Sequence, residues 1–314
     1  MAGNAGRPPF GAAGCLVRAS QQRPDKQGFG RRRQWTILTL TGPAYLWLVL
    51  TIFLPLSAML FFSFLTVAPL NGRPIEGTLQ NYLDFFRKDF YLTLTGRSLM
   101  LGIYVTGICL LLGFPAALAL AKFIKGRWRE ALFLMVVLPF WSNALVRTFS
   151  WTMVLRSDGL IDRGIQDIFP GAPHLNILFT YWAVVIGLVH SFLPYMILTC
   201  YISIQAIDDS LLEAARSLGA ASFTVFWRIL LPLSVPGLVA GSILIFVPVI
   251  GSFMEPRILG GPGGIMLGNV IEDQFTVVFN WPLGAALSFL LLGIVLMILA
   301  VCYPFLRRHL QGVA

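Results

Sequence analysis

Charged residues are scarce in this sequence of 314 residues, because Asp, Glu, Lys and Arg together make up only 12% of it. Soluble globular domains contain about 25% charged and about 45–50% apolar residues, whereas 57% of this chain is hydrophobic. Lysine is too rare to form the basic stripes that bind nucleic acid. The composition excludes an ordinary cytosolic enzyme, a disordered protein and a nucleic-acid partner, and it favours a protein that crosses a membrane several times.

Motifs for catalysis, metal binding and nucleotide binding are also missing. The 4 cysteines form no Cys-x-x-Cys pair, so we expect them to be small apolar residues. The 3 histidines form no His-Glu-x-x-His motif, and no lysine precedes Ser or Thr as a phosphate-binding loop requires. We therefore expect no catalytic residue, no metal site and no cofactor in this chain.

Long apolar runs are what the sequence does contain. Each run reaches the ~20 residues that a helix needs to cross a bilayer, and none shows the alternating polarity of barrel strands. The runs predict an all-α, polytopic membrane bundle of six transmembrane helices. Their approximate ranges are 36–65, 98–122, 131–155, 178–204, 233–255 and 283–305.

Basic residues are distributed unevenly between the two sides of this bundle. With the N-terminus inside, about two thirds of the 23 basic residues fall on the cytoplasmic side, in agreement with the positive-inside rule. The sequence therefore predicts that both termini are cytoplasmic. We expect residues 1–34 to form a disordered basic tail, 35–308 the membrane domain and 309–314 a C-terminal tail.

The cytoplasmic hairpin 207–232, between the fourth and fifth spans, is predicted to consist of a helix, a glycine and a second helix. Ser210 and Glu213 have the spacing of a capping box, with Ser210 as the N-cap. Apolar residues recur at helical spacing in the first helix, and Gly219 suits the left-handed position that ends a helix. Such a helix is suited to dock in a partner's groove, or equally to lie on the membrane or against its own bundle.

This hairpin resembles the EAA signature of permease subunits in binding-protein-dependent ABC importers. The residues that match Glu-Ala-Ala, Gly and Ile-x-Leu-Pro at the spacing of the signature are Glu213, Ala214, Ala215, Gly219, Ile229, Leu231 and Pro232. The resemblance extends from about residue 36 to 308 and implies the ABC type I importer permease fold. It also implies that the hairpin couples the permease to an ATPase subunit through the docking residues Glu213, Ala214, Ala215 and Gly219.

The same resemblance implies the partners of the chain. They are a dimer of ABC ATPase subunits that binds ATP and Mg²⁺, a second homologous permease, a periplasmic solute-binding protein and the lipid of a bacterial inner membrane. ATP hydrolysis then takes place on the partner, and we expect this chain not to be an enzyme. A secondary transporter is the alternative from another class, and it predicts inverted repeats that we do not find in the sequence.

Several segments are similar to spermidine/putrescine permeases within that family, and this similarity implies polyamine uptake. These segments are 138–147, 211–220, 268–271 and 280–286. One departure lies after the fifth span, where Glu255 is followed closely by Arg257, a cation from which a polycation gains little. An importer of another solute, such as an amino-acid derivative, an opine or an anion, therefore stays open.

Five residues are candidates for the translocation pathway. Ionisable side chains at membrane depth are costly and usually functional, and aromatic side chains suit an organic cation. The candidates are Trp141, Asn143, Arg147, His190 and Glu255. A structural role stays open for the tryptophan as an interfacial anchor and for the histidine as a residue of the core.

Overall fold

The structure is a computed structural model that describes residues 26–67, 76–171 and 173–311, with side chains described within 41–303. Within these ranges the chain is helical and contains no β-strand, only an isolated antiparallel bridge between Leu65 and Gly77. The predicted all-α class is confirmed.

Thirteen α-helices follow one another in the described part of the chain. They are α1 (Lys26–Ser63), α2 (Gln80–Arg87), α3 (Asp89–Leu118), α4 (Arg127–Val137), α5 (Ala144–Leu155), α6 (Leu160–Ile168), α7 (Tyr181–Gln205), α8 (Asp209–Ser217), α9 (Ser222–Val225), α10 (Leu231–Ile250), α11 (Met254–Leu259), α12 (Leu267–Thr276) and α13 (Trp281–Gln311). A π-helical turn, Ala119–Phe123, continues α3, and a second one, Phe226–Leu230, leads into α10. Two 3₁₀ turns cover Leu138–Trp141 and Gly261–Gly264.

Five helical segments are long and apolar enough to cross a membrane. They are Thr41–Ser63, Asp89–Phe123, Tyr181–Gln205, Ser222–Ile250 and Trp281–Tyr303. A sixth crossing exists in the described residues only if Arg127–Trp141 and Ala144–Ile168, which are bent by 100° relative to each other, are counted as one broken span. Five of the six predicted spans are therefore continuous helices, and the third is not.

The predicted third span, 131–155, is broken rather than continuous because the chain changes direction after Pro139. Proline has no amide N–H to donate and its ring disfavours a continuing α-helix, and a 3₁₀ turn replaces the α-helix there. Asn143 then takes an extended conformation, and its side chain accepts a hydrogen bond from the Leu145 N–H at 2.8 Å. This N-cap starts α5 as a new helix.

The predicted tails are shorter than expected at both ends. Helix α1 begins at Lys26, so the last residues of the segment 1–34 are helical. Lys, Gln and Arg, which dominate this stretch, are good helix formers. Helix α13 likewise extends to Gln311, and residues 1–25 and 312–314 lie outside the described residues.

The chain divides into two compact units, residues 1–57 and 58–314. In the first unit, α1 exposes large apolar side chains on all sides, among them Tyr45, Leu46, Trp47 and Phe53. A helix that is apolar all round requires apolar surroundings. These residues therefore suit contact with lipid.

The core of the second unit lies where α3, α7 and α10 pack against one another. Leu101 of α3, Met196 of α7 and Ile245 of α10 are fully buried there. Glycines allow the helices to approach closely, as is usual for membrane helices. A Cβ atom added at Gly113 of α3 would lie 2.7 Å from the Met196 Cγ atom. A second apolar cluster joins α2, α12 and α13 around Phe85.

Replacing Gly113 by Val is expected to destabilise the bundle by about 1–3 kcal/mol, because the new side chain overpacks the contact between α3 and α7. The measurement is the fraction of purified protein in detergent that remains folded on heating. Gly107→Val on the same helix is the matched control, since a Cβ atom at Gly107 meets nothing within 4 Å. An equal loss in both variants would contradict the assignment of Gly113 to a tight helix contact.

Candidate functional site

The first helix of the hairpin 207–232, α8, is capped by Asp208. Its carboxylate accepts a hydrogen bond from the Ser210 N–H at 2.9 Å, and this bond holds the pKa of Asp208 below its usual value. The prediction that Ser210 is the N-cap is therefore wrong by two residues. Asp208 is the residue with extended backbone, and the helix begins directly after it. A carboxylate at this end also interacts favourably with the helix dipole.

The prediction that Gly219 ends this helix in a left-handed conformation is confirmed, with a φ of +84°. The Gly219 N–H donates to the Arg216 carbonyl at 2.9 Å, and the Ala220 N–H donates to the Ala215 carbonyl at 3.1 Å. This pair of bonds is the Schellman arrangement that closes a helix and reverses the chain. The chain reversal between the two arms of the hairpin thus takes place at a position whose backbone conformation glycine adopts without strain.

The hairpin is anchored by one face and open on another. Leu212 is buried in the core, whereas Leu211 is 46% and Leu218 89% exposed. In the second arm, Val225 is buried and Phe223 is exposed. The apolar residues of the hairpin therefore divide into a set that holds it to the bundle and a set that is free for a partner.

The residues of the signature divide in the same way. Ala215, Ile229 and Leu231 are half-buried, and they pack against the core of the bundle. The exposed ones are Glu213, Ala214, Gly219 and Pro232. Three of the four predicted docking residues are thus accessible, and Ala215 lies at their edge.

Lys122 is a residue of this site that the sequence did not reveal. Its Nζ atom lies 2.6 Å from an oxygen of Asp209 and donates a hydrogen bond to the Ile207 carbonyl at 2.8 Å. The lysine holds the pKa of the Asp209 carboxyl below its usual value. The available signal was the rarity of lysine, together with the position of this one at the end of a span.

Three of the five pathway candidates come together at the break between α4 and α5. Asn143 caps α5, and Trp141 projects from the 3₁₀ turn with 90% of its surface exposed. The guanidinium of Arg147 donates to the Pro139 carbonyl at 2.7 Å, and Ser142 donates to the same oxygen from its backbone and its hydroxyl. The break therefore concentrates polar and aromatic side chains at one point of an otherwise apolar segment.

His190 lies beside this group, whereas Glu255 does not belong to it. The His190 ring packs edge-on against Trp151 of α5, with centroids 5.3 Å apart. The His190 Nδ1 and Arg147 Nε atoms are buried and lack a hydrogen-bond partner among the described residues. Glu255 is instead in α11, beyond the end of α10, where it is buried and accepts a hydrogen bond from the Ser252 hydroxyl at 2.7 Å.

Arg257 is paired with two carboxylates that the sequence did not connect with it. Its Nη2 atom lies 2.7 Å from the Glu272 carboxylate and also contacts Asp273. Both acids belong to α12. The positive charge of Arg257 is therefore locally outweighed.

Another ion pair ties together the segment between α5 and α7. The His174 Nδ1 atom lies 2.7 Å from the Asp162 carboxylate, which also accepts hydrogen bonds from the backbone N–H groups of Asp158 and Leu175. Ligand atoms of Asp158, Asp162 and His174 lie within 4.8 Å of one another, but the Asp162 oxygens already accept these bonds. The cluster therefore acts as a structural tie.

This tie is expected to weaken as the pH rises. The Asp162 carboxylate raises the pKa of His174 above its usual 6.5, with a smaller contribution from Asp158. A group whose pKa is raised on folding stabilises the folded state below its unfolded pKa and loses that effect as the pH passes its folded pKa. Protection of the Leu175 amide against hydrogen exchange, corrected for the intrinsic rate, should be constant below the usual histidine pKa of 6.5 and should fall as the pH rises above it. His174→Gln should remove the fall, and protection that is constant in the unaltered protein would contradict the ion pair.

The chain is similar to known transport proteins along most of its length. Residues 110–312 match the family described as binding-protein-dependent transport system inner membrane component. The chain is 38% identical over 263 residues to the spermidine/putrescine transport system permease protein PotB of Haemophilus influenzae, and the match covers 84% of this chain and 90% of that protein.

Two solved structures share the fold. A bacterial ABC transporter involved in the import of the acidic polysaccharide alginate matches with a TM-score of 0.71 at 17% identity, covering 90% of this chain and 99% of the other. A bacterial alginate ABC transporter in complex with an alginate pentasaccharide-bound periplasmic protein matches with a TM-score of 0.70 at 16% identity, covering 88% and 96%. These matches confirm the predicted importer-permease fold.

Proposed function

This chain belongs to the family of binding-protein-dependent transport system inner membrane components, as a membrane-embedded permease of an ABC importer, and we propose that it imports polyamines such as spermidine and putrescine. The observation that carries the substrate class is the 38% identity to a spermidine/putrescine permease over 84% of the chain. The alginate transporters, at 16–17% identity, support the fold and not the substrate.

The pairing of Arg257 supports a cationic solute. In the sequence, the positive charge of this arginine close to Glu255 disfavoured a polycation as the solute. In the structure Glu272 and Asp273 neutralise it, so the three side chains together carry a net negative charge. An opine, another amino-acid derivative or an anion is the alternative within the same family.

Energy for transport comes, in this proposal, from a dimer of ATPase subunits that binds ATP and Mg²⁺. The exposed hairpin residues, with Leu218 in the centre, enter a groove on one ATPase, and this chain supplies no catalytic group. The exposure of Leu218, at 89%, supports this assignment because a large apolar side chain on a cytoplasmic surface is suited to a partner's groove. The hairpin and both chain termini then lie on the cytoplasmic side of the inner membrane.

The pathway is proposed to lie beside the break between α4 and α5, at the contact with a second homologous permease. A periplasmic solute-binding protein delivers the solute from the opposite side, and one structural neighbour is in complex with such a periplasmic protein. Trp141 is exposed in the single chain and suits contact with an organic cation. The solute shifts the balance between inward- and outward-open states only by its difference in affinity for the two.

The substrate class is tested by uptake in proteoliposomes that contain this chain, the second permease and the ATPase. With the solute-binding protein outside and ATP inside, radiolabelled putrescine should accumulate, and without ATP it should not. An excess of unlabelled spermidine should abolish the signal, whereas an amino-acid derivative, an opine or an anion should leave it unchanged. Accumulation of one of these competitors in place of putrescine would overturn the polyamine assignment.

The docking surface is tested by Leu218→Asp. The charged side chain is expected to abolish copurification of the ATPase, because it places a carboxylate in an apolar contact, while membrane insertion stays normal. Arg216→Gln is the matched control, because it lowers the net charge by the same amount at an exposed position two residues earlier without placing a charge on an apolar residue. ATPase that copurifies normally with Leu218→Asp would exclude docking through this surface.

A further inference from the structure

The buried ammonium of Lys122 joins the hairpin to a helix that the chain does not connect to it. Its side chain is only 12% exposed, whereas that of its partner Asp209 is 74% exposed. The covalent neighbours of the hairpin 207–232 are α7 and α10, while Lys122 belongs to the continuation of α3. A displacement of the hairpin therefore reaches α3 through side-chain contacts, and Lys122 makes polar contacts of this kind with Ile207 and Asp209.

The two acceptors of Lys122 lie at the ends of two helices. The Ile207 carbonyl follows the last turn of α7, and Asp209 is the first residue of α8. A carboxylate is favoured at a helix N-terminus. The ammonium thus meets a carboxylate at the start of α8 and a backbone carbonyl in the connection from α7, and its hydrogen bond to the carboxylate is of the stronger, charge-assisted kind.

The backbone that carries Lys122 is a π-helical turn. The Ile124 N–H donates to the Ala119 carbonyl at 2.9 Å, a bond that spans one residue more than in an α-helix. Each inserted residue turns the following side chains by about 100° around the helix axis. Leu120 is buried in the same turn while Lys122 bonds to the hairpin. Such turns occur frequently at functional sites, and a second one joins the hairpin to α10.

We propose that Lys122 is a positioning residue that transmits the movement of the docked hairpin to α3. This inference rests on the proposed docking of an ATPase on the hairpin. Helix α3 packs against both α7 and α10 in the core of the bundle. A hairpin bonded to α3 by Lys122 is therefore directed to move α3 together with α7 and α10, whereas a hairpin without it contacts α3 through apolar side chains alone, such as Phe226 against Phe114.

Lys122→Met tests this assignment because methionine keeps the apolar stem and removes the ammonium. In the reconstituted transporter, the ATPase should still copurify and hydrolyse ATP, but putrescine taken up per ATP hydrolysed should fall about tenfold or more. Lys122→Arg should retain most of the ratio. Lys125→Met is the matched control, since this exposed lysine lies three residues further on and its loss removes the same charge.

An unchanged ratio of putrescine uptake to ATP hydrolysis in Lys122→Met would overturn the assignment. A parallel fall of uptake, hydrolysis and protein level would reduce Lys122 to a structural tie and would overturn it as well. If Lys122→Met fails to insert, Asp209→Asn replaces it, because that variant leaves the bond to the Ile207 carbonyl in place. An unaltered ratio in Asp209→Asn then counts against the proposal, and a reduced one supports it.

A second readout does not depend on the solute or on uptake. Spin labels are placed at Phe123 in the π turn and at Ser222 in the hairpin, both exposed, on a background without cysteines. Their distance should be the same with and without ATP in the unaltered transporter and should change on ATP binding in Lys122→Met. An equal change of distance in both proteins would contradict the role of Lys122 and leave the proposed function intact. An ATPase that does not bind the unaltered chain would contradict the proposed function.

Discussion

A chain that crosses lipid has to satisfy the hydrogen bonds of its own backbone, and the break between α4 and α5 shows how this structure does so where a helix fails. The carbonyl of Pro139 receives donors from Ser142 and Arg147. Asn143 closes the first turn of the next helix. Asn143 and Arg147, which the sequence offers as pathway candidates, are therefore also residues that satisfy backbone groups at the break. The need to satisfy these backbone groups accounts for both polar side chains at this place.

The sequence predicted what depends on local chemistry and missed what depends on long-range contacts. Apolar length located five continuous spans, and Gly219 was correct because a left-handed φ is a property of one residue. The position of the break in the third span was not predictable, because prolines are also accommodated inside α7 and α10 and Pro139 alone does not mark a break. The cap is Asp208 and not Ser210, because Asp208 has the extended backbone and its carboxylate accepts the hydrogen bond from the Ser210 N–H.

The candidate site divides along the same line. The signature from Glu213 to Pro232 could be recognised in the sequence because its residues lie close together along the chain. The exposure of its first residues agrees with a surface for a partner. The role of Lys122 could not be predicted from the sequence, because its contact with Asp209 joins positions 87 residues apart. The pairing of Arg257 with α12 was equally hidden, and it reversed the electrostatic argument about the solute.

The attachment of the hairpin has a mechanical consequence. Leu212 rests in the core through apolar contacts, which oppose compression steeply and oppose separation only by the cost of exposing apolar surface. The bonds of Lys122 oppose separation, because extending them leaves a buried charge without partners. A joint with both components resists load in either direction. In the proposed transporter, the joint can therefore transmit force when a docked ATPase pulls the hairpin away as well as when it presses the hairpin inward.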